Sequence, residues 1–421
     1  MTINNKDTKQ SNIVLFLLIF LSCSFATQMN VLNSSITILI WVATIVFLLF
    51  HIRKVSKRVA LAAVFVLLSF WISFIVYEES TLNSLYITVA VVSAFLYVCV
   101  YSIDVFINSF RSVMKAICII SLVFFVLYLV FPSLNDRFIV YNSDGWKYSY
   151  LLIFVKQSAL YRNSGLFWEP GAFQTFISLA LLFEIMSKNY KIFNIVLFVV
   201  TLITTFSTAG FFSLLLLLII PLLNNKVKNN KLKLFVASII VVGGFLIYYN
   251  QSFLFDRSNT SAFGKLIMFM ENTEYLTNTA SSASIRYFSV VKPLEIFINS
   301  PIIGVGIKNL KDLTYNYVGG MVTCTFVNWF AAYGILMGFT MITGMISMAR
   351  KFTKSLLIST IIVVFFFVIS MAESYTHNAM FFILCFMGFS DKTLEGSIIW
   401  SNREPLTNND SNLLQNRALL Q

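Results

Sequence analysis

Along most of this chain the apolar positions neither alternate nor confine themselves to one helical face; they run on. Long stretches with scarcely a charge recur between residues 12 and 390, broken by short polar turns. A helix crosses the hydrocarbon of a bilayer with roughly 20 apolar residues. Backbone in lipid satisfies its hydrogen bonds only in helices or closed barrels, and the lack of period-two alternation selects helices. The runs place candidate crossings at 12–28, 35–52, 59–77, 84–103, 116–132, 170–187, 191–208, 209–224, 234–248, 323–348, 355–372 and 377–390. The seventh and eighth nearly merge across FSTAGFF.

Composition agrees with that pattern. Of 421 residues 58% are hydrophobic, 16% aromatic and only 11% charged, with a mean hydropathy of +0.81. The net charge of +12 becomes informative once it is placed on the crossings. With the N-terminus inside, the inner segments hold 20 of the 30 lysines and arginines, and the short outer turns after the first, third, seventh and eleventh crossings hold none. Basic loops stay cytoplasmic, so both termini are expected inside the cell. The chain then divides into a polytopic membrane domain, 1–391, and a polar cytoplasmic tail, 392–421. Five scattered cysteines make no CxxC pair, and neither a metal site nor a disulfide framework is read from them.

The other ten basic residues fall in two long outward segments, 133–169 and 249–322. Long segments translocate regardless of charge, and loops of this length are often functional. Within the first, SYLLIFVKQSALY (148–160) is apolar but too short to span, which predicts an interfacial or re-entrant helix. Within the second, RYFSVVKPLEIFINS (286–300) shows helical spacing interrupted by Pro293. Two amphipathic pieces would then roof the outer face.

The densest polar cluster is YRNSGLFWEPGAF (161–173). Pro170 suits the first turn of a helix, where its missing N–H would be unpaired anyway, and Glu169 suits the positive end of that helix. One reading is therefore a plain helix cap. The other is an anion site: Arg162 keeps its charge and offers a fork of donors that matches phosphate oxygens, and helix-entry amides near Gly171 would add to it. Arg286 opens a comparable stretch in the second segment, ending in the G-x-G turn of 304–306. Glu184 is expected to pair with Lys188 one turn on. No D-x-D occurs, so guanidinium groups rather than a metal would neutralise a diphosphate. No cofactor is expected.

The chain resembles the O-antigen polymerase and ligase superfamily of bacterial surface-polysaccharide enzymes. The resemblance rests on RNSGLFWEPGAF (162–173), FSTAGFFSLLLLLI (206–219), SIRYFSVVKPLEIFINSPIIGVGIKN (284–309) and VNWFAAYGILMG (327–338). It covers most of residues 150–340; the first 130 match only as generic crossings. It implies an all-helical, membrane-embedded glycosyltransferase in the bacterial inner membrane, acting at its outer face on sugars carried by undecaprenyl pyrophosphate. It implies no nucleic-acid partner and allows for a flippase and a chain-length regulator. The essential arginines of the family's outer loops fall on Arg162 and Arg286, with Arg257 and Lys292 as helpers. Glu169 is then the first candidate for a base and Glu373 the second. Ligases of the superfamily carry a His-Asn pair where this chain has Val327 and Asn328, which leans toward polymerase; His377 in ESYTHN is a partial substitute. Asn328 and Trp329 would touch sugar or belong to an interfacial aromatic belt. A flippase for the lipid-linked unit is the alternative from another class, and its mid-membrane charges are scarce here.

Overall fold

The computed structural model describes residues 5–24, 34–133, 137–141, 147–157, 161–223, 282–319 and 322–391. These residues are mostly helical. The first half runs α1 (Asn5–Cys23), α2 (Ser34–Phe50), α3 (Lys57–Tyr77), α4 (Thr81–Val100) and α5 (Ile103–Val130). Four short strands follow: β1 (Ile139–Tyr141), β2 (Lys147–Tyr150), β3 (Phe154–Lys156) and β4 (Arg162–Gly165). Next come α6 (Pro170–Met186), α7 (Ile192–Thr204) and α8 (Thr208–Leu223). The last part holds α9 (Ser282–Asn299), α10 (Ile307–Val318), α11 (Thr325–Phe352), α12 (Leu356–Ser370) and α13 (Ala379–Phe389).

Helices α3, α5 and α11 are long and apolar enough to cross a membrane, and the other apolar helices are shorter. A helix lies on every predicted run except 234–248, which falls outside the described residues, as do Arg257 and the tail 392–421. The near-merged pair is two helices, parted at Phe206, whose φ of 45° breaks the run. Local chemistry sets other starts. Pro170 opens α6; the Ser102 hydroxyl accepts from Val105 N at the start of α5; the Asn378 side chain accepts from Met380 N at the start of α13.

Three expectations are corrected. First, the fold is not all-helical: the described part of the predicted interfacial helix, 148–157, supplies strands β2 and β3 to an antiparallel meander ordered β1-β2-β3-β4. An apolar run this short cannot be told from a buried strand by periodicity; here aromatic and β-branched residues on both sides of a tight turn decide it. Second, Glu184 pairs with Arg111, not Lys188. Third, Arg111 and Lys115 lie within α5, which begins at Ile103, well before the predicted start of that crossing at 116.

Two helices form the centre. Every residue of α6 is buried, and nearly all of α13 is, as expected of helices that are apolar all round. Helices α5, α7 and α8 pack on α6, while α11, α4 and α3 pack on α13. At one end of this pair Phe183 stacks on Phe352. Nearby, Arg111 Nε donates to Glu184 Oε2 at 2.6 Å and its Nη1 donates to Asn108 and Ser187. Lys191 N and Asn194 Nδ2 complete the glutamate's shell at 2.6 and 3.2 Å. Lys351 bonds the Ser390 carbonyl, and Asp391 takes Ser56 at 2.7 Å. The opposite end of α6 lies about 25 Å away by helix rise, and the candidate site is there.

The buried Arg111–Glu184 pair should behave as a lock. Glu184→Ala leaves a buried guanidinium uncompensated and is expected to destabilise by about 3–5 kcal/mol. The double variant Arg111→Met/Glu184→Leu should recover most of that loss, as read by thermal unfolding of the purified protein in detergent.

Candidate functional site

The small sheet is a platform with two faces. In its register Tyr148 faces Lys156 and Lys156 faces Arg162. Directly paired residues share one side of a sheet, so the three side chains form a row. On the other side Ser149, Val155 and Asn163 are paired in the same way. Val155 packs with Ile153, Phe125 and Tyr128 against α5. Asn163 fastens this face, donating to Ser121 at 2.8 Å and Thr204 at 3.1 Å while its carbonyl accepts from Gly165 N. Gly165, with φ of +56°, then turns the chain into α6; a Cβ there would stand 2.9 Å from the Phe173 ring.

Arg162 donates from Nε to the Thr205 carbonyl at 3.0 Å. Glu169, at the N-cap position of α6, does not cap the helix with its side chain. Its carboxylate instead accepts from Tyr148 at 2.6 Å and from Lys156 Nζ at 2.9 and 3.1 Å. Trp168 lies close to Glu373 and favours its ionised form; Glu373 lies on the 371–378 connection between α12 and α13. The Glu373 backbone carbonyl accepts from Thr325 at 3.2 Å. Its carboxylate lies against Gly171 so closely that a Cβ on the glycine would be 2.7 Å from Oε1. The glycine of EPGAF is thus required by the approach of a carboxylate from another part of the chain.

Arg286 reaches the same place from α9. It acts electrostatically on Glu373 and is opposed by Arg162. That helix is held by a strap, 301–306, docked into a break in α11 at Gly334, where φ is 78°. Val305 N and Gly306 N donate to the carbonyls of Ala331 and Ala332 at 2.9 Å, and Ile335 N to that of Pro301 at 2.8 Å. Buried Glu79 accepts from Ile307 N at the start of α10.

All four ionisable groups keep a partly accessible surface, yet burial is the main influence on three of them. It lowers the affinity of both arginines for their protons, with Glu169 countering at Arg162 and Glu373 countering at Arg286. It raises the Glu373 carboxyl well above the ordinary range; Glu169 raises it further, and Arg286 and Lys156 pull it back. Burial first, then Glu169, raises the Tyr148 phenol as well. Groups enclosed by protein but still touched by solvent lie in a recess. Among the described residues no hydrogen bond engages the terminal nitrogens of Arg162, and Arg286 has neither hydrogen bond nor ion pair. Roughly nine N–H donors therefore remain open, an array suited to an anion with several oxygens.

The other predicted residues lie apart. Lys292 is paired with Glu295 at 2.8 Å and sits 4.6 Å over the Tyr317 ring. Trp329 is fully buried, its indole N–H donating to Thr376 O, so in this conformation it has no surface to offer a sugar or a membrane interface. Asn328 is equally buried and donates to Val322 O. Its Oδ1 lacks a partner. His377 shares a hydrogen bond with Tyr333 at 2.9 Å; burial, then Lys311, lowers its pKa to about 3, so the ring is neutral. Lys156, Tyr148 and Trp168 were not anticipated as site residues. Read as strands, 147–156 and 162–165 would have aligned Lys156 with Arg162.

No family model, no curated protein and no solved structure matches this chain.

If the recess takes a diphosphate, inorganic diphosphate should raise the melting temperature of the purified protein. At 100 times Kd the gain is about 2.7 kcal/mol. Arg162→Ala and Arg286→Ala should each abolish that gain, whereas chloride at equal ionic strength should give none in any variant.

Proposed function

We propose that this protein is a polysaccharide polymerase of the bacterial inner membrane. It would join repeat units carried on undecaprenyl pyrophosphate at the outer face, in a twelve-crossing chain with both termini in the cytoplasm. What supports this reading is that Arg162 and Arg286, from two separate segments of the chain, lie within electrostatic reach of each other and of Glu373, with donors left open. The site end of α6 lies away from the end where Arg111, Lys351 and Ser390 gather, as the distribution of basic residues requires of an outward-facing site.

In this mechanism a hydroxyl of the acceptor unit attacks the anomeric carbon of the growing chain. The lipid diphosphate leaves from the opposite face, and the sugar carbon inverts. The charge that develops falls on the departing diphosphate oxygen. Preorganised donors in a water-poor site stabilise such charge, and removing one typically lowers the rate about 100- to 1,000-fold. Two guanidinium groups supply that stabilisation without a metal. A point-charge lysine would not reproduce their planar forks.

Complementation of a deletion strain tests the reading. Arg286→Ala and Arg162→Ala should insert normally yet give no long chains, with single repeats on the acceptor lipid. Arg286→Lys should be damaged too. Accumulation of full-length lipid-linked polymer would instead assign a ligase. Wild-type chain length from Arg286→Ala would remove the reading.

A further inference from the structure

The recess holds two carboxyl groups, and the chain treats them differently. Glu169 is fully engaged: Tyr148 and Lys156, neighbours in the sheet row, both donate to it, and its side chain is only 19% exposed. Glu373, with Trp168 as its near neighbour, has no side-chain cation within ion-pairing distance among the described residues. Thr325 holds its backbone carbonyl and also accepts from Tyr375 N at 2.8 Å. Tyr375 in turn bonds Thr175 of α6 at 2.9 Å. The carboxylate therefore sits on a fixed stem, pressed to the backbone of Gly171, beside the arginine whose donors are open.

Resting on the glycosyl-transfer reading, we infer that Glu373 is the group that takes the acceptor's proton, and that Glu169, fixed by Lys156 and Tyr148, is a positioning residue. This reverses the order expected from the sequence, where Glu169 stood first. In the step, the acceptor O–C bond forms as the bond from the anomeric carbon to the diphosphate oxygen breaks. The electron pair leaves with the diphosphate, the hydroxyl proton moves to a Glu373 oxygen, and water removes it before the next turnover. The Glu169 oxygens are already taken by a phenol and a lysine, which leaves little room for an incoming hydroxyl. A carboxyl whose affinity for the proton is raised into the working range is a good proton acceptor.

The groups facing Glu373 are Glu169 and Trp168 at the entry of α6, Lys156 on β3, Arg162 on β4, Tyr148 on β2, Arg286 on α9 and Tyr375 on its own connection. Because the raised carboxyl must be ionised to act as a base, activity should rise with pH through its pKa. Removing the negative charge of Glu169 makes Glu373 easier to ionise, so Glu169→Gln should move that rising limb to lower pH.

The test is a pH–rate profile of the purified full-length protein with a lipid-diphosphate-linked oligosaccharide, alongside direct donor binding. Glu373→Gln keeps the side chain's size; it should still bind donor, lose about 100- to 10,000-fold in kcat, and show no rising limb. Glu169→Gln should keep a limb, displaced downward in pH. An unchanged kcat in Glu373→Gln, or an unmoved limb in Glu169→Gln, overturns the assignment. Neither result touches the function itself, which fails separately if Arg162→Ala and Arg286→Ala bind donor normally.

Discussion

Two guanidinium groups drawn into one recess each lose hydration, and each repels the other. Such an arrangement persists only if something on the protein offsets both terms. Here the offset comes from two carboxyl groups: Glu373 beside Arg286, and Glu169 acting on Arg162. Neither carboxyl closes a short ion pair with either arginine. The recess is thus electrostatically balanced at a distance but left open in its hydrogen bonding. A multi-oxygen anion placed between the arginines would fill those donors and relieve their repulsion together.

Much of the architecture can be read as the means of holding that balance. The sheet row sets Tyr148, Lys156 and Arg162 side by side, while Asn163 on its reverse fastens it to α5 and α7. The start of α6 brings Glu169 from one segment and accepts Glu373 from another, which only a glycine at 171 allows. Arg286 depends on a longer chain of support. The break in α11 at Gly334 receives the 301–306 strap, Glu79 caps α10, and α9 packs against both α10 and α11. At the other end of α6, the buried Arg111–Glu184 network fixes the same helix axially. A single fully buried helix therefore joins a locked end to an open one.

Most of the helices were legible because long apolar runs leave the backbone few choices; α9 and α10 lie off those runs, in the 249–322 segment. The two arginines were legible too, because a cation in a Gly- and Pro-punctuated stretch between such runs stands out against its surroundings. What escaped were features made by pairing across the chain. The strands of 139–165 are too short and too apolar for periodicity to separate them from a helix, so the Tyr148–Lys156–Arg162 row was invisible. Glu184 was matched to Lys188 because helix spacing favours it; the true partner, Arg111, is on another helix. Asn328 and Trp329 looked by position as though they would touch sugar or a membrane interface, but both are fully buried, and Thr376 of the 371–378 connection takes the Trp329 indole N–H. Lys156 was likewise not foreseen as the partner of Glu169, because the two meet only across the sheet.

The central claim is that Arg162 and Arg286 share one diphosphate. A cryo-electron microscopy map of the protein with a lipid-diphosphate-linked oligosaccharide tests it most directly. The account predicts diphosphate density between the two guanidinium groups, within hydrogen-bonding reach of both and beside Glu373. Density bound elsewhere, or arginines too far apart to touch the same diphosphate, would contradict it.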